Sequence, residues 1–99
     1  IHVSDLARGH LDSIDYLFNN NKNLIINLGT GNGFSVLEVI NATEKISNKN
    51  IDYSISSRRE GDPDTVIASA KKAEKLINWL PKKSDLENII SSTWKMYNK

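Results

Sequence analysis

The sequence predicts an α/β fold with about four helices and two or three short strands. Four stretches repeat apolar residues at i, i+3, i+4 and i+7, the period of a helix with one buried face. Between them lie short apolar or alternating runs bounded by Asn, Gly and Ser, which reads as strand. The length, 99 residues, allows a single domain.

Taken in order, residues 6–18 place Leu6, Ala7, His10, Leu11, Ile14, Leu17 and Phe18 on one helical stripe. Ser4 or Asp5 is the expected N-cap, and Asn19-Asn20-Asn21 the expected stop, because Asn tolerates the left-handed conformation. Residues 24–28 read as a buried strand running into Gly29-Thr30-Gly31-Asn32-Gly33. Ser35 and Glu38 then form a capping box for a helix whose inward stripe is Val36, Val39, Ile40, Thr43 and Ile46. Residues 51–55 alternate as a second strand. Gly61 and Pro63 break the polar loop after it, and residues 65–68 read as either a very short strand or an extended lead-in to the next helix. Ser69 is the expected cap of a helix burying Ala70, Ala73, Leu76, Ile77 and Leu80, with Pro81 as its stop. Ser84-Asp85-Leu86-Glu87 reads as another capping box. It opens a last helix that buries Leu86, Ile89, Ile90, Thr93, Trp94 and Tyr97.

Composition narrows the chemistry. Thirteen basic residues oppose twelve acidic ones, so a net charge of +1 gives no electrostatic case for nucleic acid. The absence of Cys excludes disulfides, iron–sulfur clusters, thiol catalysis and Cys-based zinc sites. No apolar run reaches the roughly 20 residues of a membrane span. Ile1 opens directly into a patterned segment, and we expect the chain to be part of a longer polypeptide.

The glycines at 29, 31 and 33 follow a strand and precede a helix, the layout that cradles phosphate. Their Gly-x-Gly-x-Gly spacing departs from the dinucleotide fingerprint, and a tight strand-to-helix turn is the expectation. The loop Arg58-Arg59-Glu60-Gly61-Asp62 is the better candidate. A guanidinium there can grip phosphate bidentately, and Asp62 can accept from sugar hydroxyls. The alternative is a solvated loop whose Arg residues pair with its own carboxylates. His10 is expected as a hydrogen-bonded core residue, and His2 as one whose partners lie outside the chain. The two do not suffice for a metal site. Lys71, Lys72, Lys75, Lys82 and Lys83 read as a wet helix face, and Trp79, Trp94 and Tyr97 as core.

Four blocks resemble a known family. Ile1-His2-Val3-Ser4-Asp5-Leu6-Ala7-Arg8-Gly9-His10 is similar to the Ile-His-Val-x-Asp-Leu-Ala-x-x-His segment of UDP-glucose 4-epimerases. Asn27-Leu28-Gly29-Thr30-Gly31-Asn32-Gly33-Phe34-Ser35-Val36 and the residues to Ile40 resemble that family's next block. Arg58-Arg59-Glu60-Gly61-Asp62-Pro63 resembles its Arg-Arg-x-Gly-Asp block, and Trp79-x-Pro81 with Thr93-Trp94 its tail. The family is of the extended short-chain dehydrogenase/reductase, Rossmann-type class. The resemblance implies that residues 1–99 are a C-terminal UDP-sugar-binding lobe. The family's NAD-binding domain, with its glycine loop and Tyr-x-x-x-Lys pair, would lie outside the chain.

The resemblance further implies an intact cytoplasmic enzyme, homodimeric, that interconverts UDP-glucose and UDP-galactose by NAD-mediated hydride transfer at C4 in galactose metabolism. It makes this chain inactive alone, with no catalytic, cofactor-binding or metal residue of its own. By family motif, Arg59 anchors the diphosphate, Asp62 contacts the ribose and Val36 touches the uridine. The chain departs from the family at Ser69, Asn78, Met96 and Val66, the last standing where some members place a Tyr near the nucleotide. Two other readings stay open: a free-standing helical module for a partner protein or anionic polymer, and a sibling nucleotide-sugar dehydratase or decarboxylase.

Overall fold

The computed structural model describes residues 1–98. Four helices follow one another: α1 (Val3–Asn20), α2 (Val36–Ser47), α3 (Lys71–Ile77) and α4 (Leu86–Tyr97). Helix α1 packs on α3, and α2 packs on α4. The expected strands at 24–28, 51–55 and 65–68 form no ladder among the described residues. A strand exists only through its hydrogen-bonded neighbour. Here residues 29–33 and 67–68 lie side by side with a single backbone bond between them, Gly31 N–H to the Ala68 carbonyl at 3.2 Å.

The local signals at α2 behave as expected. Ser35 accepts from the Glu38 N–H, and the Glu38 carboxylate accepts from the Ser35 N–H. Asn21 ends α1 in the left-handed region at φ 48°. Other helix boundaries differ from expectation, each for a long-range reason. The N-cap of α1 is His2, whose Nδ1 accepts from the Ser4 N–H at 3.0 Å; Asp5 is engaged elsewhere. Ser69 does not cap α3. The Ala68 carbonyl is held by Gly31, and the helix starts only at Lys71, after Ala70. That helix also stops before Pro81: Asn78 turns left-handed at φ 53°, and the Trp79 N–H reaches back to the Ala73 carbonyl at 3.3 Å. At α4 the cap is Asp85, accepting from the Asn88 N–H, because the Ser84 hydroxyl is drawn into the interior.

Asp5 is what draws it there. Its carboxylate is 1% exposed. It accepts from the Lys82 N–H at 3.0 Å, the Lys83 N–H at 2.8 Å, the Ser84 hydroxyl at 2.5 Å and Arg8 Nη1 at 3.1 Å. The Asp5 carbonyl takes the Trp79 indole N–H at 2.8 Å. Trp79 is fully buried, and the Arg8 guanidinium lies 5.8 Å from its ring centre. The first turn of α1 and residues 79–84 are thereby one body. Gly9 lets Leu28 join it, since a Cβ there would stand 2.5 Å from Leu28 Cδ1.

Elsewhere the apolar stripes are open. The radius of gyration is 16.8 Å, against about 13 Å for a folded globule of this length, and the thinnest dimension is 17 Å. The body is therefore a thin slab rather than a globule. Leu6, Ile14 and Leu17 of α1 and Val36 and Val39 of α2, expected as buried, are exposed. His10 is also exposed, with Nδ1 2.8 Å from the Leu6 carbonyl, rather than a core residue. Tyr97 is exposed and Trp94 half-buried, so Trp79 is the one expected core aromatic that the structure buries. No described helix is long and apolar enough to cross a membrane.

Burial by itself raises the Asp5 pKa, but the Ser84 hydroxyl, the Lys83 and Lys82 N–H groups and the Arg8 charge outweigh it, pulling the pKa from 3.8 to about 2. A folded-state value below the unfolded one stabilises the fold above the unfolded value and loses that effect as pH falls through the folded value. Urea denaturation should show about 2 kcal/mol of stability lost between roughly pH 5 and pH 2 that Asp5→Asn does not lose. Near neutral pH the same variant should be less stable than the parent chain by roughly 3 kcal/mol. Separately, Gly29→Ala should cost about 1–3 kcal/mol in the same assay, because its Cβ would meet the Ala68 carbonyl oxygen at 2.8 Å and the Ala68 Cβ at 2.7 Å. Unchanged stability would mean that the two segments do not touch there.

Candidate functional site

The glycine turn and the loop at 58–67 come together at the head of α2. Gly33, Phe34 and Ser35 face Asp64, Thr65, Val66 and Ile67 across a cleft of ≈ 310 Å³. Gly33 permits the approach, since a Cβ there would stand 3.1 Å from Ile67 Cγ1. Val36 follows Ser35 directly and is 77% exposed, an apolar side chain offered to solvent beside the cleft. Val66 lies on the opposite wall, also exposed.

Two backbone donors of the glycine turn are engaged. The Gly31 N–H goes to the Ala68 carbonyl, and the Asn32 N–H goes to Thr30 Oγ1 at 3.2 Å. The Thr30 hydroxyl donates in turn to the Asn32 carbonyl at 2.9 Å. At the head of α2 the Glu38 carboxylate already takes the Ser35 N–H. An anion seated there would meet a fixed negative charge. With its Gly-x-Gly-x-Gly spacing and a carboxylate at the helix head, the turn does not fit a dinucleotide pyrophosphate.

The arginine loop carries the cationic groups. Arg58 pairs with Asp64, one of the residues lining the cleft. Arg59 Nε donates to Asp62 Oδ2 at 2.9 Å, three residues on, and Asp62 sends its N–H to the Arg59 carbonyl at 3.3 Å. The Arg59 side chain is 86% exposed and that of Asp62 43%. Each arginine is therefore held by a carboxylate of its own loop, one of the two readings the sequence left open. The pairing engages Arg59 through Nε. The guanidinium makes no other hydrogen bond among the described residues, so its two Nη groups keep the fork that matches phosphate oxygens. Asp62 keeps its second oxygen as an acceptor. The three family-motif positions, Arg59, Asp62 and Val36, lie on two neighbouring segments, and of the three Arg59 and Asp62 bond each other.

Sequence reasoning missed Phe34 and Ile67 as cleft walls, for an isolated apolar residue in a turn or loop carries no periodic signal. It also missed the Asp5 cluster. Asp5 so near a helix start has the signature of a cap, and nothing local marks residues 82–84 as its partners. His2 has partners within the chain, Ser84 and Ser92, against the expectation that they lie outside it. Among the described residues no three His, Asp or Glu side chains group as a metal site.

No family model matches the chain. Individual proteins do. It is 42% identical over 94 residues to a UDP-glucose 4-epimerase of Streptococcus mutans, covering 95% of this chain and 28% of that protein. The UDP-glucose 4-epimerase structure of Stenotrophomonas maltophila, with bound NAD and formylated UDP-arabinopyranose, superposes with a TM-score of 0.92 at 35% identity, over 99% of this chain and 29% of that one. The Bifidobacterium longum UDP-glucose 4-epimerase, in complex with NAD+ and UDP, gives a TM-score of 0.82 at 40% identity, over 99% and 29%. The chain thus spans under a third of the length of these relatives. Over almost all of its own length, in sequence and in fold alike, the chain is similar to the C-terminal part of UDP-glucose 4-epimerases.

Proposed function

We propose that this chain supplies the nucleotide-anchoring lobe of an enzyme that interconverts UDP-glucose and UDP-galactose. Arg59 holds the diphosphate, Asp62 accepts from a ribose hydroxyl and Val36 packs on the uracil ring. The observation that carries the reading is the Arg59–Asp62 pair: a guanidinium steadied through Nε with both Nη groups left for phosphate, on a loop whose next residues wall the cleft. A fixed, always-charged anchor far from the reacting carbon suits a reaction in which the sugar must turn while the nucleotide stays put. The neighbours crystallised with NAD and with UDP or a UDP-sugar support the assignment of ligand class. NAD is held by the part of such an enzyme that this chain does not contain, and we assign no hydride step to any residue here.

Titration of the chain with UDP, followed by calorimetry, tests the anchor. Arg59→Ala should weaken binding by about tenfold or more, the loss of a charge-assisted phosphate contact. Equal binding by parent and variant would remove Arg59 from the site. The 99 residues alone should show no epimerase turnover at any NAD concentration, and measurable turnover by the purified chain would refute the division of labour.

A further inference from the structure

We infer that His2 is a pH-sensitive latch between the start of α1 and the middle of α4, closed when the ring is neutral and opened by protonation at Nδ1. The hydrogen bonds fix the tautomer. Nδ1 lies 3.0 Å from the Ser4 backbone nitrogen, which can only donate, so Nδ1 is the acceptor. The proton of the neutral ring is therefore on Nε2, 2.9 Å from Ser92 Oγ. Ser92 accepts it and passes its own hydroxyl proton to the Ile89 carbonyl at 3.0 Å. The His2 N–H makes a second crossing, donating at 3.0 Å to Ser84 Oγ, which donates onward to Asp5. Every donor in this chain of bonds has one acceptor, and only the neutral, Nε2-protonated ring satisfies all of them.

A proton added at Nδ1 turns the acceptor into a donor that faces the Ser4 N–H. The N-cap bond is then lost and two donors confront each other. Asp85 at the head of α4 is the charged group that acts on the ring; the His2 backbone N–H leads through Ser84 to Asp5, which Arg8 and the Lys82 and Lys83 N–H groups bind in turn. The Asp85 carboxyl is held below its usual range, first by the Asn88 N–H, so it stays negative throughout the transition and attracts the charged ring. Asp85 is exposed, however, and water screens that attraction, whereas the cap bond is lost at contact distance.

The complete polypeptide tests this in two ways. Long-range nitrogen–proton NMR correlations of the His2 ring at about pH 7.5 should show a proton on Nε2 and a bare Nδ1; a proton on Nδ1 at that pH would overturn the inference without any variant. Denaturant unfolding at about pH 7.5 and pH 5.5 should then compare the parent with His2→Asn, whose Oδ1 takes the place of Nδ1 as a cap that does not titrate. Acidification should raise the parent's unfolding constant about fivefold more than that of H2N. Parallel curves would sink the latch. Ser92→Ala should lower stability at both pH values and keep the pH response, because it removes the α4 contact and leaves the cap. Loss of the response in S92A would overturn the assignment to Nδ1.

Discussion

The buried carboxylate of Asp5 is the constraint on which the rest of the lobe depends. Taking a charge out of water costs several kcal/mol unless donors replace the lost hydration. Four donors do so, and all but one come from residues nearly eighty positions away. The chain between α3 and α4 cannot leave α1 without exposing this charge to an incomplete set of partners. The same turn carries Trp79 into the interior, where its indole is tied to the Asp5 carbonyl. One acidic side chain thus fixes the direction from which α4 departs, and α4 in turn supports α2 beneath the cleft.

Much of this arrangement could be read from local pattern. The helices, the Ser35–Glu38 box and the Asn at the end of α1 are short-range signals, and short-range physics decides them. The failures share one cause: a residue with a familiar local role was claimed by a distant partner. Asp5 and Ser84 both sit where caps sit, yet they bond each other, and His2 and Asp85 take over their capping places. The expected strands fail for the complementary reason. Their sequences suit a sheet, but a ladder needs a neighbour, and among the described residues each segment lacks one.

The candidate site was legible in residue type and not in geometry. Two arginines and an aspartate on a Gly-containing loop announce anion chemistry, but sequence alone could not choose between a ligand and the loop's own carboxylates as their partner. The ion pair between Arg59 and Asp62 shows that the choice is not exclusive, because a guanidinium has more donors than one carboxylate oxygen can use. The exposed stripes of α1 and α2 belong to the same picture. Amphipathic helices on a slab 17 Å thick have more apolar surface than the slab has interior.

Three helices end on a left-handed asparagine, Asn21, Asn48 and Asn78, each with φ between 48° and 55°. Glycine is the commoner residue for such a stop and adopts this conformation without strain. Asparagine reaches it with some local strain, but its Cβ narrows the range of shapes open to the denatured chain. The three corners therefore surrender less chain disorder when the lobe forms than glycine corners would. For a body with so little interior, a reference state that is already restricted is a source of stability that no contact in the folded structure records.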